Sequence, residues 1–138
     1  MQSNDLLKVY NSIIRPAIEY SATVYHSMIS EELSGKLEGM QQHAMRIIYG
    51  WNGDIRETME AKGIEDLKDR REEILLRFAL KNEETKFGKR WFKRTEETGR
   101  EVRDSTRKKY KEQMCRTERL RRNPVNYMVR KLNEHYSK

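Results

Sequence analysis

The chain has 138 residues, 37% of them charged and 36% hydrophobic, with one cysteine and a formal net charge of +7. That length suffices for one domain with a real core, burying on the order of two-thirds of its unfolded surface, or for two lobes. An internal disulfide is excluded, and so is a membrane-spanning helix, because no run of ~18 apolar residues occurs.

The charged fraction exceeds the usual ~25%, which predicts a thin core and long solvated helix faces. The apolar residues are nonetheless periodic, which argues against disorder. Charge is unevenly spread. Residues 1–88 carry 12 basic and 15 acidic side chains, whereas residues 89–138 carry 17 and 7, a local excess of +10. Such asymmetry points to an anionic partner for one half, most often nucleic acid. With no charged-then-apolar leader, an intracellular location, cytoplasmic or nuclear, is the expectation.

In chain order, Leu6, Val9, Tyr10, Ile13 and Ile14 form one apolar stripe, extended by Ala17, Ile18, Val24 and Tyr25. A helix is predicted from near Asp5, kinked or broken at Pro16, which lacks an amide donor and disfavours helical geometry at Arg15. Leu33, Leu37, Met40, Ala44, Ile47 and Ile48 share one face of a 3.6-residue period. They predict a second helix, capped by Ser30 and stopped by Gly50. Gly50–Gly53 is a turn whose Trp51 folds back on these helices. Asp54 opens a short helix, Ile55–Ala61, that stops at Gly63. Glu65–Glu84 is a third long helix, with Leu67, Arg71, Ile74, Leu75 and Phe78 on or beside one stripe. Phe87–Gly99 reads as a connection. Arg100–Arg122 has good helix propensity but a weak seam of Val102, Tyr110, Met114 and Leu120. Asn123 and Pro124 open a last helix carrying Val125, Val129, Leu132 and Tyr136. The predicted fold is all-α: a three-helix bundle core over residues 1–86 and a basic helical arm over 87–138, whose thin seam suits ordering on a partner.

The candidate binding residues lie in that arm. Lys89, Arg90, Lys93 and Arg94 surround Trp91 and Phe92. Arg103, Arg107 and Lys111 stack at i, i+4 and i+8, Lys108 and Lys109 flank them, and Arg116, Arg119, Arg121 and Arg122 follow. Such cations neutralise phosphates and release counterions, and exposed aromatics among them stack on unpaired bases. The plainer alternative is a solvated helix face with both aromatics buried. Concentration of the excess in one half favours phosphate contact, while no Asn- or Gln-centred recognition helix favours base reading.

Other chemistry finds little footing. His26, His43, His135 and Cys115 have no metal-ligand spacing, so no metal or cofactor is expected. His26 and His43 read as polar rim residues, and Cys115 as a half-buried small side chain. Adjacent carboxylates such as Glu31–Glu32 and Glu83–Glu84 point apart on a helix. No phosphate-binding glycine loop and no nucleophile elbow occurs.

Arg15, Pro16, Glu19, Tyr20 and Tyr25 form an RP-x-x-EY-x-x-x-x-Y pattern. Leu37, Glu38, Gln41, Ala44, Arg46, Ile47 and Ile48 form LE-x-x-Q-x-x-A-x-R-I-I, and CRTERL with NPVNYM follows between Cys115 and Met128. Together these resemble the segment just after the catalytic domain in reverse transcriptases of LINE-like, jockey-type non-LTR retrotransposons. The resemblance covers most of the chain, more specifically in the first block than in the middle. It implies a thumb and post-thumb region that grips nucleic acid without performing the chemistry, a first helix lying along a template–primer duplex, and a natural chain continuing upstream into a catalytic domain. That family's catalytic strand carries adjacent aspartates, and no Asp-Asp pair occurs here. The expected function is therefore noncatalytic binding of RNA or an RNA–DNA duplex by backbone contacts, with no membrane partner. The alternatives are a helical protein-interaction module, docking through Val125, Val129, Leu132 and Tyr136, or a decayed retroelement reading frame without selected activity.

Overall fold

The computed structural model describes residues 2–95 and 108–137. The fold is all-α. In order come α1 (Ser3–Val9), a π-helical turn (Tyr10–Ile14), α2 (Arg15–Glu19), α3 (Ala22–Tyr25), α4 (Glu31–Tyr49), α5 (Ile55–Ala61), α6 (Leu67–Asn82), α7 (Lys86–Trp91), α8 (Glu118–Arg121) and α9 (Pro124–Tyr136). Among the described residues the β-type pairing is one antiparallel bridge, Arg94 to Tyr110. The chain forms two compact units, Met1–Ala22 with Ile29–Glu72, and Thr23–Met28 with Glu73–Lys138.

In the first unit, Pro16 does not break the helix. The backbone widens into a π turn ahead of it, and the Arg15 amide donates to the Tyr10 carbonyl five residues back. This local widening accommodates the donor that proline lacks. The break falls later, at Ser21, whose φ of 57° is left-handed. The expected stripe through Val24 and Tyr25 therefore does not belong to one helix.

Ser30 caps α4 by accepting the Leu33 amide at 3.2 Å, and Gly50, with φ 99°, follows its last turn. The buried face is rotated from the expected one. Leu33, Met40 and Ile47 are exposed, whereas Ser34, Gln41, Met45 and Ile48 are buried. Polar partners decide this. The Tyr10 hydroxyl donates to Gln41 Oε1 at 2.5 Å, Gln41 Nε2 donates to the Glu65 carbonyl at 2.9 Å, and Arg71 Nη2 donates to Ser34 Oγ at 2.6 Å. Buried polar groups with partners escape the desolvation penalty that unpaired ones carry; Arg71 does so only in part, because its buried Nε and Nη1 have no partner among the described residues. Tyr10, Met45, Ile48, Ile55 and Met59 form the apolar core of this unit.

Asp54 caps α5 by accepting the Arg56 amide. The helix ends in a Schellman arrangement: the Ile64 amide donates to the Met59 carbonyl and the Gly63 amide to that of Glu60, with Gly63 at φ 65°. The start of α6 is capped from α4, since the Leu67 and Lys68 amides donate to the Glu38 carboxylate at 3.1 and 2.7 Å. Glu19 braces the same region by accepting from Arg70 Nε at 2.5 Å.

The second unit has its own core: Leu75, Ala79, Phe92, Tyr110, Met128, Val129 and Leu132. Residues 73–86, expected with the preceding segment, thus supply part of a core shared with the C-terminal residues. Leu75 and Leu132 are fully buried, each contributing about 1.5–3 kcal/mol. Phe78, expected on the stripe of α6, is instead exposed, and Ala79 takes its place inside.

Candidate nucleic-acid interface

The second unit carries every sequence-predicted binding residue that the structure describes. Arg103 and Arg107 lie outside the described residues. The other eleven fall on four pieces of backbone: α7, the non-helical residues 93 and 94, the facing segment 108–111, and the stretch 116–122 containing α8.

Local structure at the first of these follows from glycine. The expected connection after Phe87 contains a helix, α7, capped by Thr85, which accepts the Gly88 amide at 3.1 Å. Gly88 is buried, and a Cβ there would overlap the Asn82 carbonyl at the end of α6. Only a residue without a side chain lets the two helix ends approach this closely.

The segment 108–117 is non-helical, so Lys111 does not sit on a helical ladder as expected. Its backbone has other partners. The Thr95 amide donates to the Lys109 carbonyl at 3.2 Å and the Lys111 amide to that of Lys93 at 2.9 Å. Asn133, buried on α9, clasps the residue between them: its Oδ1 accepts the Tyr110 amide and its Nδ2 donates to the Tyr110 carbonyl, both at 2.9 Å. These bonds bring Lys93 and Arg94 alongside Lys108, Lys109 and Lys111. Arg116, Arg119, Arg121 and Arg122 form a separate group around α8.

Pairing sorts the cations. Lys89 and Arg94 both reach Glu84, at 3.5 and 2.6 Å. Lys108 pairs with Glu112 at 3.1 Å and Arg122 with Glu118 at 3.1 Å. Exposed pairs of this kind contribute ~0–1 kcal/mol; Glu112 is only partly exposed and also accepts from Asn133 Nδ2 at 3.2 Å. Arg90, Lys93, Lys111, Arg116, Arg119 and Arg121 are exposed and make no salt bridge with a described residue.

Lys109 differs from the rest. Its ammonium is 3.2 Å from Glu83 and 3.5 Å from the centroid of the Tyr136 ring. Glu83 is buried and also accepts from the Tyr110 hydroxyl at 2.8 Å and the Tyr136 hydroxyl at 2.7 Å. Burial alone would raise the Glu83 carboxyl, but hydrogen bonds from Tyr136, Tyr110 and Lys109 outweigh it and hold the group below its ordinary value. Burial likewise opposes the charge on Lys109, and the bonds to Tyr136 and Glu83 more than restore it. The Tyr110 hydroxyl is pushed up to about 12, first by burial and then by Glu83. The Lys109 charge is thus paired within the fold, although its side chain remains 34% exposed.

The aromatics divide as well. Phe92 is 2% exposed and belongs to the core, while Trp91 is 41% exposed. Val129 and Leu132 are also core, so the last helix does not present the docking face anticipated for it. His26, expected at the rim, is buried edge-on to Tyr127. Trp51 is exposed and packs against His43 and Arg46 of α4.

Sequence reasoning missed Glu83 as the centre of the network, Asn133 as a clasp, and Phe87. Asn133 had a signal, because it is a polar residue inside the apolar face of α9. Among the described residues no group of three His, Cys, Asp or Glu side chains is placed to hold a metal ion, and no helix is long and apolar enough to cross a membrane. Comparison with protein-family models, curated proteins and solved structures finds no match to this chain.

Proposed function

We propose that the chain is a noncatalytic nucleic-acid-binding element whose second unit holds phosphates, in the manner of the thumb and post-thumb region of a non-LTR retrotransposon reverse transcriptase. The observation that carries this reading is the set of six exposed cations, Arg90, Lys93, Lys111, Arg116, Arg119 and Arg121, without a salt bridge to a described residue. Exposed ammonium and guanidinium groups in a segment of +10 attract a polyanion and release its counterions. The partner is RNA or an RNA–DNA duplex contacted along its backbone. Chemistry, where it occurs, belongs to another polypeptide or domain.

Fluorescence anisotropy with a labelled RNA–DNA duplex over a range of salt concentrations tests the proposal. Affinity should fall with salt, and each cation removed by K93A or K111A should lower the log–log slope by roughly 0.7–0.9. Salt-independent binding, or full binding by a variant with all six cations replaced by alanine, removes the proposal.

A second reading, a protein-interaction module, is favoured by the exposed row Leu33, Met40 and Ile47 on α4. Size-exclusion chromatography with light scattering separates the two. A stable dimer indifferent to nucleic acid supports the second, and a monomer that binds nucleic acid supports the first.

A further inference from the structure

Residues 86–94 read KFGKRWFKR, with five cations and no acidic residue. On α7 within this run, Phe87 and Trp91 stand one turn apart, 68% and 41% exposed. Their ring centroids are 6.2 Å apart and their planes are inclined by 38°. The adjoining residue, Phe92, packs edge-on against Tyr110 at 6.0 Å, and Gly88 seats the helix against the end of α6. Two large rings are thus held near solvent by an element anchored through its neighbours.

Leaving such rings in water forgoes the stabilisation that burial brings. Arg90 and Lys93 beside them make no salt bridge with a described residue. A fitting partner has flat apolar faces and a negatively charged backbone. Unpaired nucleotides have both, whereas a duplex hides its base faces. We propose that Phe87 and Trp91 form a stacking platform for unpaired bases, with Arg90 and Lys93 neutralising the flanking phosphates. This rests on the phosphate-binding reading above and narrows it to single-stranded nucleic acid at α7.

The test uses the full chain with W51F, which leaves Trp91 as the sole tryptophan. An oligothymidylate of about a dozen nucleotides should quench Trp91 saturably, and a blunt duplex of the same length should not. By anisotropy, F87A/W91A should weaken oligothymidylate binding about fivefold or more, leave duplex binding unchanged, and keep the helical circular dichroism. Equal losses on both nucleic acids overturn the platform, as does binding of both without quenching. Quenching by polyglutamate as strong as that by the oligonucleotide overturns it in favour of an acidic protein partner. Salt-dependent duplex binding without a platform effect leaves the broader proposal standing. Absence of all nucleic-acid binding removes both. Were F87A/W91A to unfold, quenching in the folded W51F protein decides.

Discussion

Glu83 shows how one buried charge organises its surroundings. Its carboxylate receives two tyrosine hydroxyls and one ammonium, so an amide in its place loses the charge and one acceptor oxygen and adds an N–H among three donors. E83Q is expected to lower stability by about 1.5–3 kcal/mol at neutral pH, measured by denaturant unfolding. The acid side carries a sign. The Glu83 carboxyl is held below its ordinary value in the fold, so its stabilising effect is present above the usual glutamate range, about pH 4.3. It is lost as pH falls through the folded value. E83Q should therefore flatten the acid limb of a stability–pH curve, and an unchanged limb would contradict this role. At the alkaline end two tyrosines act together. Tyr10 is pushed up to about 12, first by burial and then by Glu19 and Glu38 against the opposing Arg15 and Arg70, and Tyr110 reaches about 12 as well. Raised values favour the protonated fold, so this stability is complete below about pH 10 and is lost as pH rises toward about 12. A denaturation series across that window should show the decline, and Y10F should lessen it.

Among the elements, α7 owes its close approach to α6 to a single residue. The Asn82 carbonyl occupies the space that a Gly88 side chain would need. G88A is expected to cost about 1–3 kcal/mol and to shift the Trp91 emission, because the helix must move away from α6. Thermal unfolding with W51F reads both effects, and a neutral substitution would show that the contact yields. Other elements are held from a distance. The first turn of α6 is capped by Glu38 of α4, and Glu19 holds Arg70. Glu19, Glu38 and Gln41 belong to the patterns that carry the family resemblance. In this fold all three brace the first unit, whatever the first helix contacts elsewhere.

On the scale of the molecule, charge is segregated between the units. The second contains residues 73–138, whose cations exceed its carboxylates by 10, while the first is net acidic. Self-repulsion of this kind opposes compactness and is screened by salt. Raising ionic strength from about 50 to about 300 mM spans a fall in Debye length from above 10 Å to below 8 Å. It should raise the thermal midpoint in the absence of nucleic acid. A steady fall would mean that exposed pairs such as Glu84–Arg94 outweigh the repulsion. The same increase in salt should weaken nucleic-acid binding, so stability and affinity are expected to respond in opposite directions.

Helix caps and stops were legible from residues alone. Ser30, Gly50, Asp54, Gly63, Asn123 and Pro124 act where their chemistry predicts, because a cap depends on neighbours within a few positions. The all-α class and the charge asymmetry were legible for a similar reason: periodicity and composition are local or additive. The buried face of α4, the bridge at Arg94–Tyr110 and the internal use of Lys109 were not. Each depends on a partner far along the chain, such as Tyr10 for Gln41, Asn133 for Tyr110 and Glu83 for Lys109. The sequence determined which segments coil and where the positive charge lies. Only tertiary structure decided which polar side chains go inside and which cations remain outside, because burial of a polar group is settled by the partner that meets it there.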